Sequence, residues 1–292
     1  MRDQKIDCDY HVCFRAKQMV LNEIRGAIKD NYTMLLKFLV LFKEKNDGSF
    51  ISVEPDQEDN DVFKRAFIAM SAFETALCHL RPLVCVDGTH MQSELRGVLL
   101  VATSIDALGA VVPVCIALVD VENYENWLWF FWCFRSAFFM SLSNIDSITF
   151  ISDRQKGLIE SVTQVFLHAP HGMCVNHIKE NLKKVVNKQC LNEMVFKLAK
   201  AKTTKEYNDI LQEVNEISQE AEVYLHDIDP THFVDNFFPN QIFGHYTSNI
   251  AESLNAKILS MREELPFQCF QEFIRKYASI FTGSRKDYDK II

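Results

Sequence analysis

LVCVDGT, residues Leu83 to Thr89, is a short apolar run that holds an aspartate one step before a glycine. Its β-branched content and the turn residues around it read as a buried strand. An unpaired carboxylate at the end of such a strand is costly unless a metal ion or hydrogen bonds compensate it, so Asp87 stands out at once. Downstream, GVLLVATSIDA (Gly97 to Ala107) and AVVPVCIALVD (Ala110 to Asp120) read as two further strands. The tight turn at Ala107 to Gly109 makes a meander the natural arrangement. Tyr124 to Phe139 then changes period: Trp127, Phe130, Phe131, Phe134 and Phe138 recur at the spacing of one helical face. SITFISD (Ser147 to Asp153) is a fourth strand, Gln155 to Phe166 a helix with Leu158, Ile159, Val162, Val165 and Phe166 on its buried side, and Gly172 to Val175 a short fifth strand.

Outside this block the texture differs. From Phe14 to Leu80 apolar residues such as Met19, Leu35, Leu36, Leu39, Phe63, Phe67 and Met70 fall at helical spacings, with the acidic stretch Glu54 to Asp61 as a solvated loop. Asn176 to about Ile228 reads as helical and highly charged, without strand signal. Two last helices are expected at Ser248 to Arg262 and Pro266 to Phe281, the second with proline in its first turn. Strand, strand, strand, helix, strand, helix, strand and a later helix is the order of a ribonuclease-H-like fold. The expectation is an α/β protein with a mixed five-stranded sheet flanked by helices. Residues 1–81 would form an N-terminal helical region, 82–175 and 246–292 the core, and 176–245 an all-helical insertion before the last catalytic helix.

In that fold the first and fourth strands are neighbours, which brings Asp87 and Asp153 together. Two carboxylates in one pocket raise each other's pKa, so an ionised pair implies a compensating cation. Mg²⁺ or Mn²⁺ suits an all-oxygen ligand set. In YTSNIAESLNAKIL, Thr247 or Ser248 can cap a helix whose apolar stripe is Ile250, Leu254 and Ile258. Glu252 and Asn255 leave from a different face, where Glu252 can complete a two-metal site for phosphodiester chemistry.

CVDGTH with GVLLVAT, PVCIALVDVENYENWLWFF, FISDRQKGLIESV, CVNHIKEN and TSNIAESLNAKI together resemble the Mutator-like (MULE) DDE transposases, over roughly Phe14 to Phe281. The resemblance implies that Asp87 in DGT, Asp153 in SDR and Glu252 in NxxES are the catalytic, metal-binding acids. It implies metal-dependent DNA strand cleavage and strand transfer in cut-and-paste transposition. Transposon ends and target DNA would be the partners, the complex on DNA a homo-oligomer, and the compartment the nucleus. It also identifies the helical stretch before Tyr246 with the family's insertion, and Cys174 with His177 with the Cys-x-x-His pair that follows its fifth strand. Two such ligands do not make a structural zinc site, which takes four; packing or polar organisation of the site's edge is the expected role. CDYHVC, with Cys8, His11 and Cys13, also lacks a fourth ligand.

Charge refines the picture. The net charge of −8 over 292 residues argues against nucleic-acid binding by the whole surface. Between Lys179 and Lys205, however, eight lysines meet only two acids, Glu180 and Glu193, whereas Glu206 to Asp229 holds eight acids and no lysine or arginine. Lys179, Lys183, Lys184 and Lys188 are therefore candidates for phosphate contact, as are His90, Arg154 and Lys156 beside the acids. The alternative for the lysines is a solvated face neutralised by the acidic segment. A polar start at Met1 to Tyr10 offers no secretory signal, and the nine scattered cysteines fit reduced thiols. Trp127 to Met140, interrupted by Arg135, is too short for a membrane span. The flanking DNA-binding and Cys/His-rich zinc modules usual in this family do not occur in the sequence, which resembles an isolated core, either a fragment or a decayed or domesticated copy. A noncatalytic, transposase-derived DNA-binding or regulatory protein is thus the main alternative. A different ribonuclease-H-like nuclease, acting on RNA–DNA hybrids, is less favoured because of the long helical insertion.

Overall fold

The computed structural model describes residues 10–55, 63–77, 79–93, 97–107, 109–139, 148–240, 242, 244–247 and 259–288. In chain order the elements are α1 (Tyr10–Lys45), β1 (Phe50–Pro55), β2 (Phe63–Ala69), α2 (Ser71–Leu77), β3 (Leu83–His90), β4 (Val98–Ile105), β5 (Val111–Val119) and α3 (Tyr124–Phe138). They continue as β6 (Thr149–Ser152), α4 (Lys156–Val165), β7 (His171–Met173), α5 (Val175–Val185), α6 (Cys190–Ala199), α7 (Thr204–Ile217), α8 (Gln219–His226) and α9 (Pro266–Tyr288). Among the described residues, two 3₁₀ turns, Pro230–His232 and Leu259–Glu263, precede α9.

One mixed sheet has the order β1-β2-β5-β4-β3-β6-β7. β3, β4 and β5 form the expected antiparallel meander. At its far end Gly109 adopts φ +84 and Ala110 N donates to Asp106 Oδ1 at 2.8 Å, which lets the chain reverse. β6 joins β3 in parallel, and β7 joins β6 in parallel. Parallel neighbours require crossovers, and α3 and α4 supply them.

The sheet has seven strands, not five, because β1 and β2 lie where the sequence predicts helix. Phe63 and Phe67 are four apart, a spacing that serves an even-period strand as well as a helix. Ala66 to Met70 is buried throughout, and β2 pairs antiparallel with β5 while β1 pairs with β2. A strand covered on both faces reads as a continuous apolar run, which periodicity alone cannot tell from a buried helix. Glu54 and Pro55, expected in a loop, end β1 across a register shift. Of the helix expected over Ser248 to Arg262, residues 248–258 lie outside the described residues, and the remainder is 3₁₀.

Two layers cover the sheet. On one face Val84, Val86, Leu100, Ala117 and Phe150 pack against Trp127, Phe130, Phe131 and Phe134 of α3 and Leu158 and Val162 of α4. On the other, Ile68, Leu99, Val101 and Ile116 meet Leu35 and Leu39 of α1 and Phe270, Phe273 and Tyr277 of α9. Helices α5 to α8 bury a separate apolar cluster of their own, including Ile178, Leu182, Val195, Leu198, Leu211 and Val214.

The α3 stripe is core, as its spacing predicts. Phe131 alone meets Trp127, Phe130, Phe150 and Phe166 at centroid separations of 5.5 to 6.1 Å. Phe131→Ala is expected to cost about 3–5 kcal/mol in urea unfolding. Trp132→Ala, on the exposed side of the same helix, should cost under about 1 kcal/mol.

Candidate active site

Cys85 of β3 lies directly opposite Ile151 of β6. Two residues further along each strand direction come Asp87 and Asp153. Opposed residues of a parallel pair project to the same side. Val84, Val86 and Phe150 point into the α3/α4 layer, whereas Leu83, Cys85 and Ile151 form a cluster on the reverse face. Asp87 continues that second row. Asp153 sits in the turn just past β6, where its Oδ1 accepts from Gln155 N at 3.1 Å.

Asp87 Oδ1 accepts from Gly88 N at 3.0 Å. Burial pushes its carboxyl up to about 7; the charge of His177 opposes this, while Asp153 and then Glu122 reinforce it. A buried carboxyl beside two other acids is what an all-oxygen cation site looks like before its counter-charge arrives. Among the described residues no three His, Cys, Asp or Glu side chains are grouped to hold a metal ion. Glu252, the third acid expected from the sequence, lies outside the described residues. Two carboxylates, Asp87 and Asp153, fit a hard divalent cation in donor chemistry.

The turn carrying Asp153 is held from behind. Ser152 Oγ donates to Asp153 O at 2.8 Å and stands 2.8 Å from His171 Nε2. The hydroxyl has one proton, so His171 is the donor in the second bond. Burial holds His171 down to about 3, hence neutral. His171 is tied in turn to His232, whose Nδ1 lies 2.7 Å from His171 O.

Cys174 and His177 come to the same corner. Cys174 is fully buried and its N–H donates to Ser152 O at 2.7 Å, which docks the start of α5 against the end of β6. The Cys174 side chain hydrogen-bonds His177, and this bond, with the charges of Asp153 and Asp87, lifts the imidazole to about 9 against the opposing effect of burial. His177 Nδ1 is buried with no hydrogen-bond partner. The pair thus orders a cationic ring beside the acids.

Sequence reasoning missed Glu122, in the turn between β5 and α3. A Cβ on Gly88 would stand 2.9 Å from Glu122 Cδ and 3.0 Å from both carboxylate oxygens. Trp127 Nε1 donates to Glu122 Oε1 at 3.2 Å, and Gln155 Nε2 donates to Glu122 O at 3.4 Å. Burial raises its carboxyl, with Asp153 adding to the effect and His90 opposing it. The only sequence signal was its place immediately before Asn123, whose side chain accepts from Asn126 N and caps α3.

Several expected DNA contacts are occupied within the protein. Arg154 donates to Tyr224 Oη at 3.0 Å and lies 5.7 Å from that ring's centroid, linking the Asp153 turn to α8. Lys179 lies 5.7 Å from the Phe196 ring, Lys183 pairs with Glu180, Lys184 donates to Asn181 and Lys188 to the Ile217 carbonyl. His90 is exposed, and its carbonyl accepts from Arg262 Nε at 2.7 Å. The side chain of Lys156 lies outside those described.

Residues 83–181 match the family model of the MULE transposase domain. The chain carries a MULE transposase domain. Its match runs from the first residue of β3 into α5 and takes in Asp87, Glu122, Asp153, Cys174 and His177. No curated protein matches the chain. The match points to a transposase-related function for residues 83–181.

The raised carboxyl of Asp87 has a thermodynamic consequence for the metal-free MULE domain. Its folded form keeps a proton up to about pH 7, while an unfolded aspartate loses it near pH ~4. Its stabilising contribution is complete below about pH 4 and is lost as pH rises through about 7. In EDTA, wild type should lose stability relative to Asp87→Asn across that window in chemical unfolding. A difference independent of pH would contradict the assignment.

Proposed function

We propose that this chain is a DDE transposase core that cleaves and joins DNA strands with divalent metal, using Asp87, Asp153 and Glu252. The observation that carries the reading is the approach of Asp87, within β3, to Asp153, in the turn just past the parallel neighbour β6, inside the stretch that matches the MULE transposase domain. Asp87, Asp153 and Glu252 would hold Mg²⁺ or Mn²⁺. When bound, the ions supply activation of the attacking water or 3′-hydroxyl and stabilisation of the leaving oxygen.

The protein's own part is positional. The Gln155 amide fixes one oxygen of Asp153, and Gly88 N–H fixes one oxygen of Asp87. His177 puts positive charge next to the acids on the side from which α5 approaches. No covalent nucleophile is required, and the Cys85 thiol is unsuited to be one: burial pushes it far above the ordinary thiol range. DNA is the partner, contacted through the lysine-bearing helices α5 and α6, in a homo-oligomeric complex in the nucleus.

Incubation of the purified chain with transposon-end DNA and Mg²⁺ or Mn²⁺ tests the reading. Strand cleavage is expected, with Asp87→Asn, Asp153→Asn and Glu252→Gln each lowering it at least about a hundredfold, since even groups behind metal ligands cost about 10–100-fold. Undiminished cleavage by any of these variants would refute the triad. Salt-sensitive DNA binding by a wild-type chain that never cleaves would instead favour a regulatory, noncatalytic protein.

A further inference from the structure

We propose that Glu122 is a fourth acid of the same site, a positioning residue that supplies negative charge and a hydrogen-bond acceptor to the cation's surroundings. The inference rests on the metal-dependent reading above and adds a residue that the Asp/Asp/Glu pattern does not contain.

Its basis is a close approach at Gly88 that a Cβ would disturb. Along β3 the side chains alternate, so residue 88 faces the α3/α4 layer while Asp87 faces the other way. The Glu122 carboxylate occupies the place where a side chain at 88 would stand, with both oxygens 3.0 Å from that Cβ position. A carboxylate is thereby laid against the backbone one residue from Asp87. It comes from the face of β3 opposite to that of Asp87.

Glu122 is also held at both ends. Trp127, fully buried in the α3 layer, donates to Oε1, and the Gln155 side chain binds the Glu122 carbonyl while the Gln155 backbone binds Asp153. Gly157 strengthens this clamp, because its Cβ position is only 2.8 Å from Tyr124 N; the first turn of α4 can press on the first turn of α3 there. Gln155 therefore links the Glu122 and Asp153 turns. Seating a third acid beside two others is unfavourable in the metal-free protein and becomes favourable when a cation is shared. A merely structural role requires only a hydrogen-bond acceptor for Trp127. Gln has one, so Glu122→Gln keeps the Trp127 bond and removes only the charge.

The experiment is Mn²⁺ titration of the full chain followed by the electron paramagnetic resonance signal of the free ion, with melting of the metal-free protein measured in parallel. Wild type should bind Mn²⁺, and Asp87→Asn should lose it. Glu122→Gln should weaken it by roughly tenfold or more while melting no lower than wild type. Gly88→Ala, which pushes the carboxylate away without changing any charge, should weaken binding in the same direction and decides the matter should Glu122→Gln fold poorly. Mn²⁺ affinity at the wild-type level in the folded variant, alongside loss in Asp87→Asn, would overturn the role of Glu122. A wild-type chain that takes up no Mn²⁺ would instead overturn the metal-dependent reading itself.

Discussion

Parallel pairing of β3 with β6 is the constraint on which the site depends. Cys85 opposite Ile151 brings Asp87 of β3 alongside the turn past β6 that carries Asp153. That pairing is not local. It requires the chain to leave the meander at β5, cross the sheet as α3 and return one strand beyond β3. Trp127, Phe130, Phe131 and Phe134 make the crossover stable by filling the layer over Val84, Val86 and Phe150. The aromatic density of α3 and the placement of two acids some 66 residues apart are thus one design, with burial of rings fixing the register in which the carboxylates meet.

Much of this was legible in the sequence because it is written in strong local signals. β3 to β7 and α3 to α4 alternate between β-branched runs and an aromatic helical stripe, and the elements fall within a few residues of where those signals put them. β2 reads as helix in the sequence for a physical reason: burial of Ala66 to Ala69 on both faces erases the period-two alternation that marks a half-exposed strand, whereas β1 is a half-buried edge strand. Glu122 was not legible, since its significance comes from Gly88, 34 positions earlier, and from an indole that reaches back to it. The place of Glu252 relative to the aspartates lies outside the described residues, so the third corner of the expected triad rests on the sequence motif.

The charged helical region adds a second lesson about charge counted along a chain. Its lysines read as a basic face, yet Lys183, Lys184 and Lys188 each have acceptors within α5 or across to Ile217, and Lys202 pairs with Asp235. Such exposed pairs are weak, about 0–1 kcal/mol, and a phosphate can displace them. Arg154 differs, because its guanidinium donates to Tyr224 Oη and so ties α8 to the turn of Asp153. The insertion-like helices are anchored to the site through that contact and through Val175 N–H on the Tyr246 carbonyl.

Crystals of the chain soaked in Mn²⁺ and measured for anomalous scattering test the central claim most directly. The account predicts a manganese peak at the sheet edge between Asp87 and Asp153, with oxygen ligands at about 2.0–2.6 Å and Glu252 in its coordination shell. A well-occupied soak with peaks elsewhere and none between the two aspartates would contradict it.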